Sequence, residues 1–519
     1  MPFRPIRDVG ELYEDLDDRV MAGFGGVAEY GITVRWDKNF LKVIRLLLER
    51  RQRLTMLGGT RFGSAITAES AFAMGFDHIA LAAGAGKPTL LGIPNELARG
   101  VRQASDFLMA LQLTGAAKLG SVANLQIRLP IVVVGGGLTA IDTATEALTY
   151  YVRQVEKFRQ RYEILVEAEG TEAVRATWTA EDKAIADEFL THAQALGEER
   201  EAARREGRPP AFIPLLDAWG GSTIAYRRRM VDAPSYTLNH EEIIKALEQG
   251  VRFAELLAPK EILLDDFGHV RAFRLARQRI GEGGRPEPSG DEVELPARTI
   301  LVAAGTQPNT VLAREHPGFA ALDGKYFAAV DETGAAAKPE RSTKPATPHV
   351  LMQFRADGRA MSFFGDLHPS YAGNVVKALA SAKQGYPVVD RALRRRAPEP
   401  VTAEALAAQL NDALRPTVIA VKPLTTTAHE ITVRAPFAAH AYGPGQFFRV
   451  QNFEANAPRA NGTTLAMEAV ALTGAMIDRK EGLISLIALD MGGSTSLLPL
   501  LKAGERIVLM GPTGAVTET

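Results

Sequence analysis

The sequence predicts α/β layers carrying a helical insertion and followed by a small antiparallel β-barrel. Three observations carry this expectation. Residues 40–130 and 130–300 each alternate helical stretches with short apolar runs. A polar tract rich in Glu, Arg and Ala, roughly Arg153 to Pro210, interrupts the second of these. From Val418 onward, short β-type runs recur between Gly and Pro turns.

The chain has 519 residues, 46% of them apolar, enough to bury cores in about three or four domains. Its 60 basic and 61 acidic residues nearly cancel, so no global field draws it to nucleic acid or to an anionic membrane. The longest apolar runs, Leu129 to Val134 and Thr299 to Ala304, have the length of strands, and Met1 is followed by Pro-Phe-Arg-Pro rather than a signal-type stretch. A cytoplasmic protein with neither nucleic-acid nor membrane partners is expected. The absence of cysteine removes disulfides, a redox dithiol, a thiol nucleophile and thiolate-held iron–sulfur or zinc sites from this polypeptide. The nine histidines show no metal-ligand spacing, so no metal is expected.

Element by element, Asn39 to Gln52 reads as a helix with Leu41, Ile44, Leu47 and Leu48 on one face, and Asp77 to Ala83 as a short apolar run. Leu129 to Val134 reads as a strand, followed by a glycine turn, a helix with Ile141, Ala144, Leu148 and Val152 on one face, and a second strand at Ser222 to Tyr226. Within the polar tract, Thr179-Ala-Glu-Asp182 reads as a capping box, and Ile185, Phe189, Ala193 and Leu196 follow at helical spacing. The tract is taken as a helical hairpin, a solvated decoration of the fold in preference to the alternative of a partner-binding arm. Beyond Arg391 a linker carries a short helix near Ala403 to Ala413, and β-type runs at Val418, Ile431, Phe447, Ala466, Ile484 and Ile507 predict the barrel.

The chemistry concentrates in Gly135-Gly136-Gly137-Leu138-Thr139-Ala140, a G-x-G-x-x-A turn between strand and helix, the context of dinucleotide binding. Gly135 permits the tight turn, Gly137 lets backbone approach a pyrophosphate, and Ala140 allows close strand–helix packing, with the phosphates at the helix N-terminus. The second strand ends in Tyr226-Arg227-Arg228-Arg229, where an NAD-selective site would carry an acid. Adjacent guanidiniums at Arg227 and Arg228 suit a 2′-phosphate, so NADP(H) is the expected nucleotide.

Six separated segments then resemble, in order, the glutamate synthase small subunit and its relatives in the pyridine nucleotide-disulfide oxidoreductase superfamily. They are Gly25-Gly26-Val-Ala-Glu-Tyr30-Gly31-Ile32, Asp77 to Pro88 with Gly84, Gly135 to Asp142, Tyr226-Arg-Arg228, Ala303-Ala-Gly305-Thr-Gln-Pro-Asn309 and Phe364-Gly365-Asp366. The resemblance covers about residues 20–390 and implies two nested Rossmann-like dinucleotide-binding domains, one for FAD and one for NADPH. It implies that Gly25, Gly26 and the Tyr30-Gly31-Ile32 turn lie along the flavin, that Gly84 and Gly305 end strands where the chain crosses between domains, and that Gly365 and Asp366 contact the FAD ribityl or pyrophosphate region. The helix beginning near Gly373-Asn374-Val375 would aim its N-terminus at the flavin pyrimidine edge. The implied chemistry is hydride transfer from nicotinamide to flavin, with no general acid or base, so the catalytic residues are unassigned.

The division expected is 1–128 for the first part of the FAD domain, 129–300 for the NADPH domain with its insertion at about 153–210, 301–392 for the second FAD part, 393–414 for the linker, and 415–519 for the barrel. The barrel is similar to that of ferredoxin-reductase-like flavoproteins through Gly443-Pro-Gly445-Gln-Phe-Phe448, Met491-Gly-Gly493-Ser-Thr495 and Met510-Gly-Pro-Thr-Gly514, although the Arg-x-Tyr/Phe-Ser flavin motif is missing. In the family an opening strand with its own glycine turn precedes the Gly25 segment, whereas Met1 to Gly23 contains only Gly10 and Gly23. A fragment, or a chain completed by another subunit, is therefore expected. Iron–sulfur clusters would sit on missing segments or on a partner, with an electron-acceptor protein or domain outside this chain. The alternative is an NADP-binding electron-transfer or assembly module without a complete flavin site. The pairing of the two kinds of unit also resembles ferredoxin:NADP oxidoreductase complexes, which leaves a hetero-oligomer open.

Overall fold

The structure, a computed structural model, describes residues 17, 46–51, 53–316, 318–397 and 400–517. It divides into two units, Met1–Ile44 with Pro88–Thr306 and Arg45–Lys87 with Gln307–Thr519. The architecture is mixed α/β, with a Rossmann-like parallel sheet, a helical insertion and an antiparallel half-barrel.

In the first unit the chain runs through β1 (Val101–Gln103), α1 (Ala104–Leu113), β2 (Ile131–Val134), α2 (Leu138–Glu169), α3 (Ala180–Glu206), β3 (Ser222–Tyr226), α4 (Pro234–Glu248) and β4 (Val251–Glu255). An antiparallel meander follows, β5 (Leu257–Leu264), β6 (Val270–Ile280) and β7 (Pro286–Pro296), and then β8 (Thr299–Val302). The sheet order is β1-β8-β2-β3-β4, and every neighbouring pair is parallel. Strand β2 shows why this chain builds such a sheet. All four of its residues are buried, Ile131 and Val133 in a core with α1, α2 and α4, and Val132 and Val134 in a second core with the meander. A strand covered on both faces has no use for polar alternation.

The insertion differs from the expected decoration. Helix α2 continues unbroken for 32 residues from the glycine turn to Glu169, so the first arm of the hairpin is an extension of that helix. Helix α3 opens with the predicted box, in which the Asp182 N–H donates to Thr179 Oγ1 (3.1 Å) and the Thr179 N–H to Asp182 Oδ2 (2.9 Å). Phe189, Ala193 and Leu196 then join the same core as Ile131, and Tyr151 meets the edge of Phe189 at 6.0 Å. Arg128, just before β2, pairs with Glu188 of α3. The inner face of the insertion is therefore part of the first unit's core, and only its outer face is solvated.

In the second unit the predicted run at Asp77 to Ala83 forms a strand, His78–Leu81, that pairs in parallel with β10 (Ala360–Phe363), which is antiparallel to β9 (Leu351–Phe354). Helix α5 (Val375–Leu393) follows, and α6 (Ala403–Leu414) packs Leu410 and Leu414 with Met74. The Asn39 to Gln52 helix is seen at 46–49 and has ended by Arg50, while 39–45 lie outside the described residues.

The barrel strands are β11 (Thr417–Pro423), β12 (Ala428–Arg434), β13 (Phe447–Asn452), β14 (Val470–Asp478), β15 (Leu483–Leu489) and β16 (Ile507–Thr513), in the order β11-β12-β15-β14-β13-β16. The sheet curls around Val418, Ile431, Phe448, Ile484 and Ile507. The Val418 N–H donates to Glu505 O (2.9 Å) and the Ile507 N–H to Pro416 O (3.1 Å), which ties the two edges together. The run at Ala466 is not a strand. Asn452 takes the Met467 N–H and donates to the Leu465 carbonyl, so the ladder begins only at Val470.

Candidate functional site

The carboxyl ends of β2, β3 and β8 lie side by side and bring together most of the predicted nucleotide residues. The chain leaves β2 toward β3 on one side and returns as β8 on the other, so Gly135 stands where the strand order reverses. Gly135 has φ +151°, and a Cβ there would lie 2.3 Å from the Ala303 carbonyl oxygen. At Gly136 a Cβ would lie 2.5 Å from the Tyr226 ring, and the Gly136 carbonyl accepts from both the N–H (3.0 Å) and the hydroxyl (2.9 Å) of buried Ser235 on α4. At Gly137, by contrast, nothing lies within 4 Å of the missing side chain. Gly137 is also the N-cap of α2, which has neither a side-chain cap nor an acidic residue in its first turn. Leu138 and Thr139 open that turn, and Ala140 is buried beneath it. The N–H groups at such an end point outward with partial positive charge and favour an anion.

Beside this turn, Arg227 and Arg228 are exposed and make no salt bridge among the described residues. Arg229 is committed to Asp232 through two bonds (2.8 and 2.9 Å), which hold the Asp232 carboxyl below the usual carboxylate range. The Met230 N–H donates to Glu255 Oε1 at the end of β4 (2.6 Å), and the Leu256 N–H donates to the Arg228 carbonyl (3.2 Å). Gly305, just past β8, has φ +97°, and its carbonyl accepts from Thr89 (3.0 Å).

A second cluster forms in the second unit, at the carboxyl ends of His78–Leu81 and β10. The Phe364 N–H donates to the Leu81 carbonyl (2.9 Å), and Gly84 accepts from the Asn309 N–H (3.0 Å). The Gly365 N–H donates to Ser381 Oγ (2.9 Å), and Asp366 Oδ1 takes the Gly373 N–H (2.7 Å). Asn374 caps α5 by accepting from Lys377 (2.9 Å), and Val375 is the first helical residue. His368, fully buried against the Phe363 and Tyr371 rings, accepts the Ser370 N–H at Nδ1 (3.2 Å), so Nε2 carries the proton and donates to the His349 carbonyl (2.9 Å). Burial holds its pKa down at about 4, and the ring is neutral. Gly25, Gly26, Tyr30, Gly31 and Ile32 lie outside the described residues.

Sequence reasoning missed Ser235, Glu255 and His368; Ser235 and Glu255 act on backbone groups 99 and 25 positions away. The one available signal was Pro234-Ser235 at the head of a helix. A cleft of about 120 Å³ lined by Phe158, Tyr162, Leu165 and Trp178 lies on the insertion, and no predicted site residue borders it. Among the described residues, no cluster of three metal-ligating side chains occurs, and no helix is long and apolar enough to cross a membrane.

No protein-family model matches the chain. It is 38% identical to the uncharacterized protein RP006 of Rickettsia prowazekii over 527 aligned positions, which cover 99% of this chain and 65% of that protein. The chain thus spans just under two thirds of the length of this relative. Two Escherichia coli K12 proteins that carry oxidoreductase names are similar over shorter stretches. UacF is 37% identical over 95 residues, 17% of this chain and 14% of its own, and AegA is 24% identical over 300 residues, 55% and 34% respectively. Among solved structures, Mycobacterium tuberculosis FprA in complex with NADPH aligns with 76% of this chain and 83% of its own at 15% identity and a TM-score of 0.43. Likeness at that level assigns neither cofactor nor reaction.

Proposed function

We propose that this chain is the NADPH- and FAD-binding part of an oxidoreductase that moves hydride between NADPH and a flavin and passes electrons to an iron–sulfur or protein acceptor outside the chain. The observation that carries the reading is the carboxyl edge of the first unit, where an uncapped helix N-terminus, a side-chain-free glycine turn and two exposed arginines that make no salt bridge among the described residues stand together. The oxidoreductase names of UacF and AegA point to the same class.

The residues fit the nucleotide. Gly137 leaves open space for a pyrophosphate over the first turn of α2, and Arg227 and Arg228 suit the 2′-phosphate by charge and by geometry. For the flavin, Asp366 engages Gly373 through one carboxylate oxygen, and the other makes no hydrogen bond among the described residues, which suits a ribityl or ribose hydroxyl. The N-terminus of α5 begins beside it. On this reading 129–300 bind NADPH, 1–128 with 301–392 bind FAD, and 393–414 link them to the barrel at 415–519. Bound nicotinamide and flavin supply the hydride chemistry, and the protein's part is binding, orientation and electrostatics.

The test is a visible spectrum of the purified protein after incubation with FAD, before and after anaerobic NADPH. Retained flavin that bleaches supports the oxidoreductase. A colourless protein that still binds NADPH would make the chain an NADP-binding electron-transfer module, and one that binds neither would end both readings.

A further inference from the structure

We propose that Glu255 is a positioning residue that presents Arg227 and Arg228 to a dianionic phosphate group, an inference that rests on the NADPH reading above. The segment 227–232 follows β3 at the open edge of the sheet, where exposed arginines would ordinarily swing freely. Two hydrogen bonds to its backbone hold it, one from a side chain at the end of the next strand and one from the residue that follows. Tyr226 is in register with Glu255, whose side chain reaches past it to take the Met230 N–H at 2.6 Å. The next residue, Leu256, donates its N–H to the Arg228 carbonyl at 3.2 Å. Leu256 does so at φ +57°, a conformation that leucine rarely adopts and that persists where surrounding bonds enforce it. Its own carbonyl is fixed by the Gln278 N–H at 2.7 Å.

The charges are arranged to the same end. The two acids flanking the arginines are already engaged, Asp232 by the Arg229 guanidinium and Glu255 by the Met230 N–H. Arg229 thus occupies the nearest carboxylate and leaves its two neighbours without a salt bridge among the described residues. The segment also runs directly into α4, where Ser235 clasps the Gly136 carbonyl. A short hydrogen-bonded path therefore sets the position of the arginines relative to the glycine turn. A nucleotide meeting both would find its two phosphate subsites already spaced, which lowers the ordering cost of binding.

Glu255→Ala and Glu255→Gln in the full chain test this, with the Kd for NADPH and for NADH measured by calorimetry at one fixed salt concentration. Loss of one hydrogen bond should raise the NADPH Kd about five- to tenfold in Glu255→Ala and leave NADH within about twofold. Glu255→Gln keeps an acceptor oxygen and should restore wild-type behaviour. Equal weakening of both nucleotides would mark a merely structural role and overturn the inference, as would unchanged NADPH affinity. If the wild-type protein binds NADPH no better than NADH, the NADPH reading itself fails and takes this inference with it. A wild-type preference that survives Glu255→Ala sinks the inference alone.

Discussion

Gly137→Ala separates the fold of the glycine turn from its use. Gly137 sits at φ −92° and ψ 174°, extended backbone open to any residue, and an added Cβ would meet nothing within 4 Å. Alanine is a poorer N-cap than glycine, but it also lowers the entropy of the unfolded chain by about 0.4–1 kcal/mol, so the two effects roughly cancel. The melting temperature should stay within a few degrees of wild type. A pyrophosphate lying on the turn would have to move away from the new methyl and lose a hydrogen bond from the helix N-terminus. Such a bond to a charged group is worth about 1.5–3 kcal/mol, and NADPH affinity should fall about 10- to 150-fold by calorimetry. Gly135→Ala is the contrast, because its Cβ would strike the Ala303 carbonyl oxygen at 2.3 Å, in backbone fixed by the Ala303 N–H to Val134 (2.7 Å). That variant should lose about 3 kcal/mol of stability or fail to fold. Gly137→Ala that melts normally and binds NADPH like wild type would refute the siting of the pyrophosphate over this turn.

Two further outcomes concern stability. Lys157→Met removes a buried ammonium that donates to the carbonyls of Ala116 (2.8 Å), Ser121 (3.2 Å) and Ala123 (2.8 Å), and leaving these acceptors unmet should cost about 3 kcal/mol or more in urea unfolding; a loss below about 1 kcal/mol would show that Lys157 does not hold the 116–123 segment. His368 and His78 are both held down at about pKa 4 by burial, against an ordinary 6.5. Between these values the unfolded chain binds protons that the folded chain refuses, so stability rises with pH across that window and is lost on acidification. By pH 5 the loss should be about 2 kcal/mol for enclosed His368, and less for the more exposed His78, and His368→Gln should flatten the unfolding midpoint against pH.

Local signals were readable in the sequence, and long-range ones were not. The run Ile131–Val134 announced a strand buried on both faces, the glycine turn announced its helix, and Thr179 with Asp182 announced the cap of α3. Gly84, Gly365, Asp366, Gly373 and Asn374 were each commonplace residues on their own, and the parallel pairing of His78–Leu81 with β10 gathers them at one edge. The insertion was misjudged because its composition is polar, although Lys157 and Arg128 turn inward to carbonyls and to Glu188 that lie far off in the chain. No breaker separates residue 153 from 169, so α2 simply continued. Ser235 and Glu255 were invisible for the same reason, since each acts on a backbone group supplied by another element.

The pairing of His78–Leu81 with β10 has a consequence for synthesis. His78 and Ser362, bonded across that pair, are separated by 284 positions, with Pro88–Thr306 belonging to the other unit. At about 5–20 residues per second, a ribosome that has released His78 needs roughly 15–60 s to deliver its partner. Throughout that interval the strand is an open edge on a nascent chain, while β1 through β8 emerge and can complete their own sheet. Maturation is thus ordered from the middle of the sequence outward, and a ribosome stalled shortly before 360 would display the emerged strands β1 through β8 while His78–Leu81 still has no partner strand to pair with.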